Sequence, residues 1–510
     1  MRFRLPKPLV LHPLLFAAFP VLYLFSQNRA LADLSEGVRP LLTVVAIVAV
    51  LFLVAALIFR NAMRAGLVVS VLVVLFFSYG YVLRGLESIR IGDLAIGRHR
   101  FLLPVWGVLT VGTILWAVRA RKALPTLTST LNVVAAGLVL VNAITIGVYK
   151  IRSGGKAETS ELASLVPNVP TSATGSNARD IYYVIFDRYG GPDALRRMGF
   201  DNSAFLNELA AKGFYVASES RGNYPKTLLS LASSLNMTYL DFLTREVSED
   251  SDDEGPARRL IQQHAVARFL KAKGYRYIQI GSWWGVTSES PLADLNIKLG
   301  GLSEFSTALV ETTPLFPVGP AISEELDFRH REYNRALLQF EKLAETKTVP
   351  GPTFVFAHIL VPHGPYVFDR NGTYVEAEQE HSRSFRRNYL DQLTFVNTKI
   401  TELVERLLAG SDSEDPIVIL QSDEGPGEAP GNWAKASPQS WRKKFPIFNA
   451  YHLPGVEDAN LYPSISPVNT FRQVFNLYFD ANLPILPDRS FIYQDLKHLY
   501  KFTDVTSRVR

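Results

Sequence analysis

Four stretches in the first 150 residues run for 18 or 19 positions without a charged side chain: Leu41–Phe59, Ala65–Leu83, Phe101–Val118 and Leu131–Tyr149. A helix needs about 20 largely apolar residues to cross the hydrocarbon core of a bilayer. Helices of a soluble core are amphipathic instead, with one polar face. Four such runs in succession therefore predict a bundle of transmembrane helices. Pro8–Asn28 is a weaker fifth, interrupted by Pro13 and Pro20.

Charge follows the same division. Residues 1–150 hold 15 Lys and Arg against 4 Asp and Glu, a net of +11. Of the chain totals of 53 and 48 this leaves 38 against 44, or −6, for the rest. The overall +5 is thus not a nucleic-acid footprint, because the basic residues lie where membrane flanks carry them. Arg2, Arg4 and Lys7, then Arg60 and Arg64, then Arg119, Arg121 and Lys122 form one alternating set with no acid among them. The other set mixes Arg84, Arg90, Arg98 and Arg100 with Asp33, Glu36, Glu87 and Asp93. The positive-inside rule makes the first set cytoplasmic. Five spans then leave the C-terminal part outside the cytoplasm. "ALA" at Ala30–Ala32 has the form of a signal-peptidase site, and cleavage there leaves that location unchanged. The absence of cysteine excludes disulfides, thiolate metal sites and a cysteine nucleophile.

Residues 153–179 are small, polar and interrupted by Pro and Gly, as in a linker. The expected division is a membrane domain (1–152), the linker (153–179) and a soluble domain (180–510). In the last, near-continuous apolar runs ("IYYVIFD", "YRYIQIG", "TFVFAHILV", "PIVILQS") alternate with amphipathic segments such as "ARRLIQQHAVARFLKAKG" and "NYLDQLTFVNTKITELVERLLAG". That alternation predicts a mostly parallel sheet covered by helices on both faces. Glu249–Glu254 (EDSDDE) is expected to be a solvated loop.

In such folds ligands lie at the carboxyl ends of the strands. Three strands deliver polar residues there: Asp187 after "YYVIF", His363 in "HILVPHGPY", and Asp423 with Glu424 in "VILQSDEGPG". A fourth segment, "NYPKTLLSLASSL", sets Thr227 at a helix start behind Pro225 and Lys226. The free first-turn N–H groups of a helix favour an anion. A hydroxyl there, beside an ammonium, is placed to attack phosphorus. Each residue taken alone has a plainer use. Asp187 serves as a strand cap or a partner for Arg188, Thr227 as an N-cap, Asp423 and Glu424 as turn acids, and His363 as a turn residue between prolines. Their convergence on one sheet edge is what points to function. His358 is expected to be a packed core histidine, with a place lining the site as the alternative. Trp283 and Trp284 in "GSWWG" are read as core residues, with stacking on a glycan or head group as the alternative.

In order and context these segments resemble the alkaline phosphatase superfamily. Within it they are most similar to sulfatase-like membrane enzymes such as the lipoteichoic acid synthases and lipid A phosphoethanolamine transferases. That resemblance implies five transmembrane helices, an extracytoplasmic catalytic domain and a Thr nucleophile, here Thr227. It also implies an acid ending the first strand (Asp187), a histidine in a His-x-Pro-Tyr-like segment (His363) and a Ser-Asp-His-Gly loop (around Asp423). The C/S-x-P-x-R motif of type I sulfatases is not matched by "NYPKT". One position departs: Glu424 stands where the family has histidine.

By this resemblance the metal set is Asp187, Asp423, Glu424 and Thr227. Three carboxylates do not stay ionised together without compensation. A divalent cation, with Lys226 offsetting the remainder, answers that need. An all-oxygen set suits Mn2+ or Mg2+, with Zn2+ and Ca2+ as alternatives. Thr227, His363 and Lys226 are the catalytic candidates, His363 as a hydrogen-bond donor to the phosphate or as the acid for the leaving oxygen. The implied activity is transfer of a phospho-head group from a lipid-type donor to an envelope glycan or similar acceptor. The rivals are a phosphodiester or sulfate-ester hydrolase and a non-catalytic, membrane-anchored binding module. A transporter fits poorly, because His12 is the only ionisable residue within a run.

Overall fold

The computed structural model describes residues 8–29, 34–86, 89–91, 94–95, 97–119, 124–154, 178–410, 415–456 and 460–509. The linker lies almost wholly outside these residues. So do Ala30–Ala32, Arg2, Arg4, Lys7, Asp33, Glu87, Asp93, Arg121 and Lys122. The chain forms two compact units. One comprises residues 1–155 with 301–328, and the other 156–300 with 329–510. Residues 301–328, expected within the soluble domain, thus belong with the N-terminal helices.

The first unit contains α1 (His12–Gln27), α2 (Leu34–Phe59), α3 (Ala62–Leu86), α4 (His99–Arg119) and α5 (Leu124–Gly154). α2 to α5 are long and apolar enough to cross a membrane, which makes the chain a multi-pass membrane protein. α1 has 16 residues, or about 24 Å at 1.5 Å per residue, and starts later than expected, at His12. Neighbouring helices meet several of its polar groups. Asn132 Oδ1 of α5 accepts from the backbone N–H of Leu11 and His12, and His12 Nδ1 meets Ser70 Oγ of α3 at 2.6 Å. These contacts pair the start of α1 with the start of α5, so the two run parallel.

The second unit is built on seven strands: β1 (Ile181–Phe186), β2 (Tyr215–Val216), β3 (Arg276–Ile280), β4 (Leu295–Ile297), β5 (Thr353–Ile359), β6 (Ile417–Ser422) and β7 (Asn449–His452). Their order is β2-β7-β6-β1-β5-β3-β4. β7 alone is reversed against its neighbours, and every other pairing is parallel. The central strands β1, β5 and β6 are buried along their whole length, which explains their unbroken apolar sequence.

Side chains alternate between faces along a strand, and so each face acquires its own core. Ile181, Tyr183 and Ile185 pack with Leu228 and Leu231 of α6 (Thr227–Ser234), Ala267 and Leu270 of α7 (Ala265–Ala272) and Phe471 of a later helix. Tyr182, Val184 and Phe186 pack instead with Phe340 and Leu343 of α9 (Phe328–Glu345) and with Leu393, Val396 and Ile400 of α10 (Phe385–Leu408). Between α7 and α9 in sequence lies α8 (Glu304–Glu311), which belongs to the first unit. This is the expected mostly parallel α/β sheet, covered on both faces.

Two local readings are corrected. "ARRLIQQHAVARFLKAKG" is two helices, Gly255–Gln262 and α7. Between them His264 is extended and caps α7, its Nδ1 accepting from the Ala267 N–H at 3.1 Å. The acidic run 249–254 is not all solvated: Glu254 is buried and pairs with Lys226 and Arg258.

Burial, reinforced by the charge of Arg268, lowers His264 to about 3, so the native ring is neutral while the unfolded ring titrates near 6.5. Its stabilising contribution is complete above pH 6.5 and disappears as the pH falls towards 3. His264→Asn keeps a capping oxygen and removes the proton. The thermal midpoint of the variant is therefore expected to fall less steeply than wild type between pH 6.5 and 4. Parallel curves would show that the ring is protonated in the native protein.

Candidate active site

Strand register builds the site. Ile185 of β1 lies opposite His358 of β5 and Gln421 of β6, and Phe186 opposite Ile359 and Ser422. Asp187 and Asp423 are the next residues on their strands, two positions beyond the Ile185 row, and therefore share its face. That face carries α6, which begins at Thr227 and is entered through Pro225 and Lys226. One carboxylate oxygen each from Asp187 and Asp423 and a ring nitrogen of His358 lie within 4.8 Å of one another, all buried. Thr227, at the start of α6, lies close enough to Asp423 to hold the carboxyl pKa down against burial.

The chain brings Asp187, Thr227, His363, Asp423 and Glu424 to this edge, but it arranges them differently from the expectation. His358 is not a mere packing residue. Its Nε2 lies 4.0 Å from Asp187 Oδ2, and its Nδ1 meets Thr287 Oγ1 at 3.1 Å. The direction of that bond can be traced. Ser282 Oγ–H donates to the Trp284 carbonyl, so Ser282 accepts from the Thr287 hydroxyl at 2.7 Å. Thr287 therefore accepts from His358 Nδ1–H. Burial holds the ring neutral, at about 3. Its Nε2 lone pair thus points towards carboxylate oxygens.

Asp187 Oδ1, Asp423 Oδ2 and His358 Nε2 are all buried without a hydrogen-bond partner. Burial pushes Asp187 up to about 7 and Asp423 well above its ordinary range. Carboxyl groups held this far above their ordinary range, with lone pairs converging on one place, are what a cluster shows when only a cation there would keep it ionised. The residues present fit a divalent metal on that ground.

Glu424 lies outside the 4.8 Å cluster and one of its oxygens is engaged by cations, while Oε2 is buried without a hydrogen-bond partner. Its Oε1 accepts from Arg188 Nε at 3.0 Å and from Lys444 Nζ at 2.6 Å. Lys444 ends a short helix, is buried, and also reaches the Gly427 carbonyl at 2.9 Å. Burial lowers its pKa, and Glu424 opposes that fall. Gly425 makes the approach feasible: a Cβ there would stand 2.5 Å from the Lys443 carbonyl oxygen. Arg188 has φ of +62°, an uncommon conformation of the kind that clusters at functional sites. Lys226, expected to offset the acids, is instead 3.1 Å from Glu254. The offsetting cations are Arg188 and Lys444.

His363 is half-buried, with Nδ1 against the Gly364 carbonyl. Burial, and then Arg188, hold it down at about 4. A carbonyl only accepts, so Nδ1 carries the proton and Nε2 is a free acceptor. Sequence reasoning missed Lys444 and the role of His358. "RKKF" reads as a solvated helix end, and one histidine in an apolar strand carries no periodic signal.

A mostly parallel α/β sheet with acids at two strand ends and a hydroxyl at a helix start beside them is the arrangement of the alkaline phosphatase superfamily, and this chain has it. A sequence model of the family described as Sulfatase matches residues 180–465. That is more than half of the chain, which belongs to this family, and hence to a superfamily of transferases and hydrolases. No curated protein matches it in sequence. Among solved structures, the C-terminal periplasmic domain of EcEptC from Escherichia coli in complex with Zn is similar. It shows 13% identity and a TM-score of 0.42, with 66% of this chain and 95% of that one covered. The integral membrane lipooligosaccharide phosphoethanolamine transferase A from Neisseria meningitidis is 12% identical, with 92% and 94% covered and a TM-score of 0.41. The phosphonate monoester hydrolase of Agrobacterium radiobacter is 13% identical, with 62% and 80% covered and a TM-score of 0.40.

Proposed function

We infer that the chain is a membrane-anchored phosphotransferase. It moves a phospho-head group from a lipid-type donor to an envelope acceptor outside the cytoplasm, with Thr227 as nucleophile. Asp187, His358, Asp423 and the Thr227 hydroxyl would hold a divalent cation. The convergence of unpartnered lone pairs from Asp187, His358 and Asp423 carries this reading. One imidazole among the donors favours Mn2+ or Zn2+ over Mg2+ and Ca2+. When bound, such an ion supplies Lewis-acid polarisation and neutralises carboxylate charge.

Formal charge supports an anionic substrate. Asp187, Asp423 and Glu424 contribute −3, and Arg188 and Lys444 restore +2. A divalent ion makes the site about +1, which suits a monoanionic phosphodiester. In the first step Thr227 Oγ bonds to phosphorus and the donor's ester P–O bond breaks. The Thr227 proton passes to Asp423, and the leaving oxygen is protonated from solvent. In the second step the acceptor hydroxyl attacks phosphorus of the threonine phosphodiester and gives its proton to His363 Nε2, which releases it to solvent, while the Thr227–phosphorus bond breaks and Thr227 takes back the proton held by Asp423. Neutral His363, with a free Nε2, suits a base better than the acid the sequence suggested. The same base would equally activate water, which supports a hydrolase as the second reading.

The test is to incubate the full chain with head-group-labelled phospholipid and to quench with acid. Label is expected on the peptide bearing Thr227, and product appears on an added alcohol if the enzyme is a transferase. Turnover without labelled protein would overturn the nucleophile. The relay behind His358 is tested separately. Thr287→Val removes the hydroxyl that fixes the ring, and outer-shell losses of this kind cost about 10- to 100-fold in metal affinity. Titration calorimetry with Mn2+ reads this without turnover, and unchanged affinity would sink the relay.

A further inference from the structure

The segment that leaves the second unit and returns to it, residues 301–328, has no part in the proposed chemistry. Its helix α8 (Glu304–Glu311) is capped by Ser303, whose Oγ accepts from the Ser306 N–H. Phe305 and Leu309 of α8 are buried among Phe16, Phe25 and Val69 of the apolar helices. Phe305 meets Phe25 edge-on at 6.0 Å. At Gly80 of α3 the N–H donates to the Thr312 carbonyl at 2.9 Å, and a Cβ at Gly80 would lie 2.2 Å from the Glu311 oxygen. Only glycine permits that approach.

The direct contacts, Phe305 with Phe25 and Thr312 with Gly80, lie at one end of the helix bundle. Phe25 and Gly80 are near the C-termini of α1 and α3. The same end carries an aromatic belt. Tyr23 and Tyr81 meet at 6.0 Å, Arg84 lies over Tyr81 at 5.2 Å, and Arg29 over Tyr149 of α5 at 5.6 Å. Tyrosines paired with arginines at helix ends mark the level of the lipid head groups. Two residues beyond Thr312 the chain runs uncharged from Pro314 to Ile322 (PLFPVGPAI). Within it Phe316 is 40% and Ile322 65% exposed. Exposed apolar side chains beside an aromatic belt are continuous with the surface that the spanning helices give to lipid.

The geometry points to residues 314–322 as a second membrane contact, inserted at head-group depth at the bundle end that carries Tyr23, Tyr81 and Tyr149. This surface takes a lipid bilayer, not a protein. It ties the chain of the α/β unit to the membrane at a point separate from α5.

The absence of cysteine allows a clean test. Phe316→Cys and Ile322→Cys, each bearing a bimane label, are reconstituted as full-length protein in phosphatidylcholine vesicles. Nitroxide-labelled lipid of shallow acyl depth is expected to lower emission by about twofold or more, given insertion of about 5–10 Å, while iodide in the aqueous phase quenches poorly. Strong quenching by iodide and none by the nitroxide lipid at both sites would overturn the contact. So would protection from both quenchers, which would mean that protein covers the segment. The measurement needs no turnover, so its failure leaves the phosphotransferase reading untouched, and failure of that reading leaves it standing.

Discussion

Thr227→Ala is expected to lower head-group transfer on the order of 10^4-fold or more, the scale of losses when an enzyme nucleophile is removed, while leaving the thermal midpoint almost unchanged. The two readouts separate because Thr227 is half-buried at the first position of α6, and its hydroxyl does not cap that helix. Alanine is a good helix former, so the change costs α6 little. What it removes is the hydroxyl at the start of α6 that helps hold down the pKa of Asp423. Thr227→Ser retains an attacking oxygen and should keep a substantial fraction of the rate. Equal activity of all three proteins would remove Thr227 from the chemistry. A collapse of stability in the alanine variant would assign it to the fold.

The parts of this site that were legible in the sequence follow the strands. Unbroken apolar runs announce buried parallel strands, and Asp187 and Asp423 each end one, so their common row follows once β1 and β6 are neighbours. Thr227 was legible because Pro225 and Lys226 precede an apolar helical pattern. Contacts that depend on distant partners were not legible. Glu424 reads as a ligand by its place beside Asp423, yet the side chain is drawn to Lys444, 20 residues away in sequence. His358 reads as core because its strand is buried throughout, and only the relay through Thr287 and Ser282 reveals that its ring has a directed lone pair. Nothing in the composition of residues 301–328 tells that Gly80 has cleared a place for them against α3. The break at His264 was hidden for a related reason: the helical period continues through the residue that caps the next helix.

Glu424→Ala is expected to destabilise the α/β unit by about 3–5 kcal/mol, the range for breaking a buried ion pair from one side. The substitution leaves Lys444, with a side chain only 2% exposed, without its carboxylate and facing Arg188. The sign follows from desolvation: burial already lowers the pKa of Lys444, and Glu424 is the first-named influence that raises it. The cost should be largely recovered in Glu424→Leu with Lys444→Met, because an apolar pair of similar volume replaces a buried ion pair at little cost. Denaturation midpoints of the single and double variants test this coupling directly. Additive losses would mean that the two side chains do not support one another. Substitutions at the same loop decide whether Glu424 is also a ligand. If Glu424 serves Lys444 and Arg188, then Glu424→Gln leaves Mn2+ affinity nearly intact while Asp423→Asn lowers it steeply. If Glu424 were a ligand, both would fall together. On the present geometry Glu424 Oε1 holds two internal cations, Arg188 and Lys444, which supply in fixed form charge that would otherwise have to come from solution.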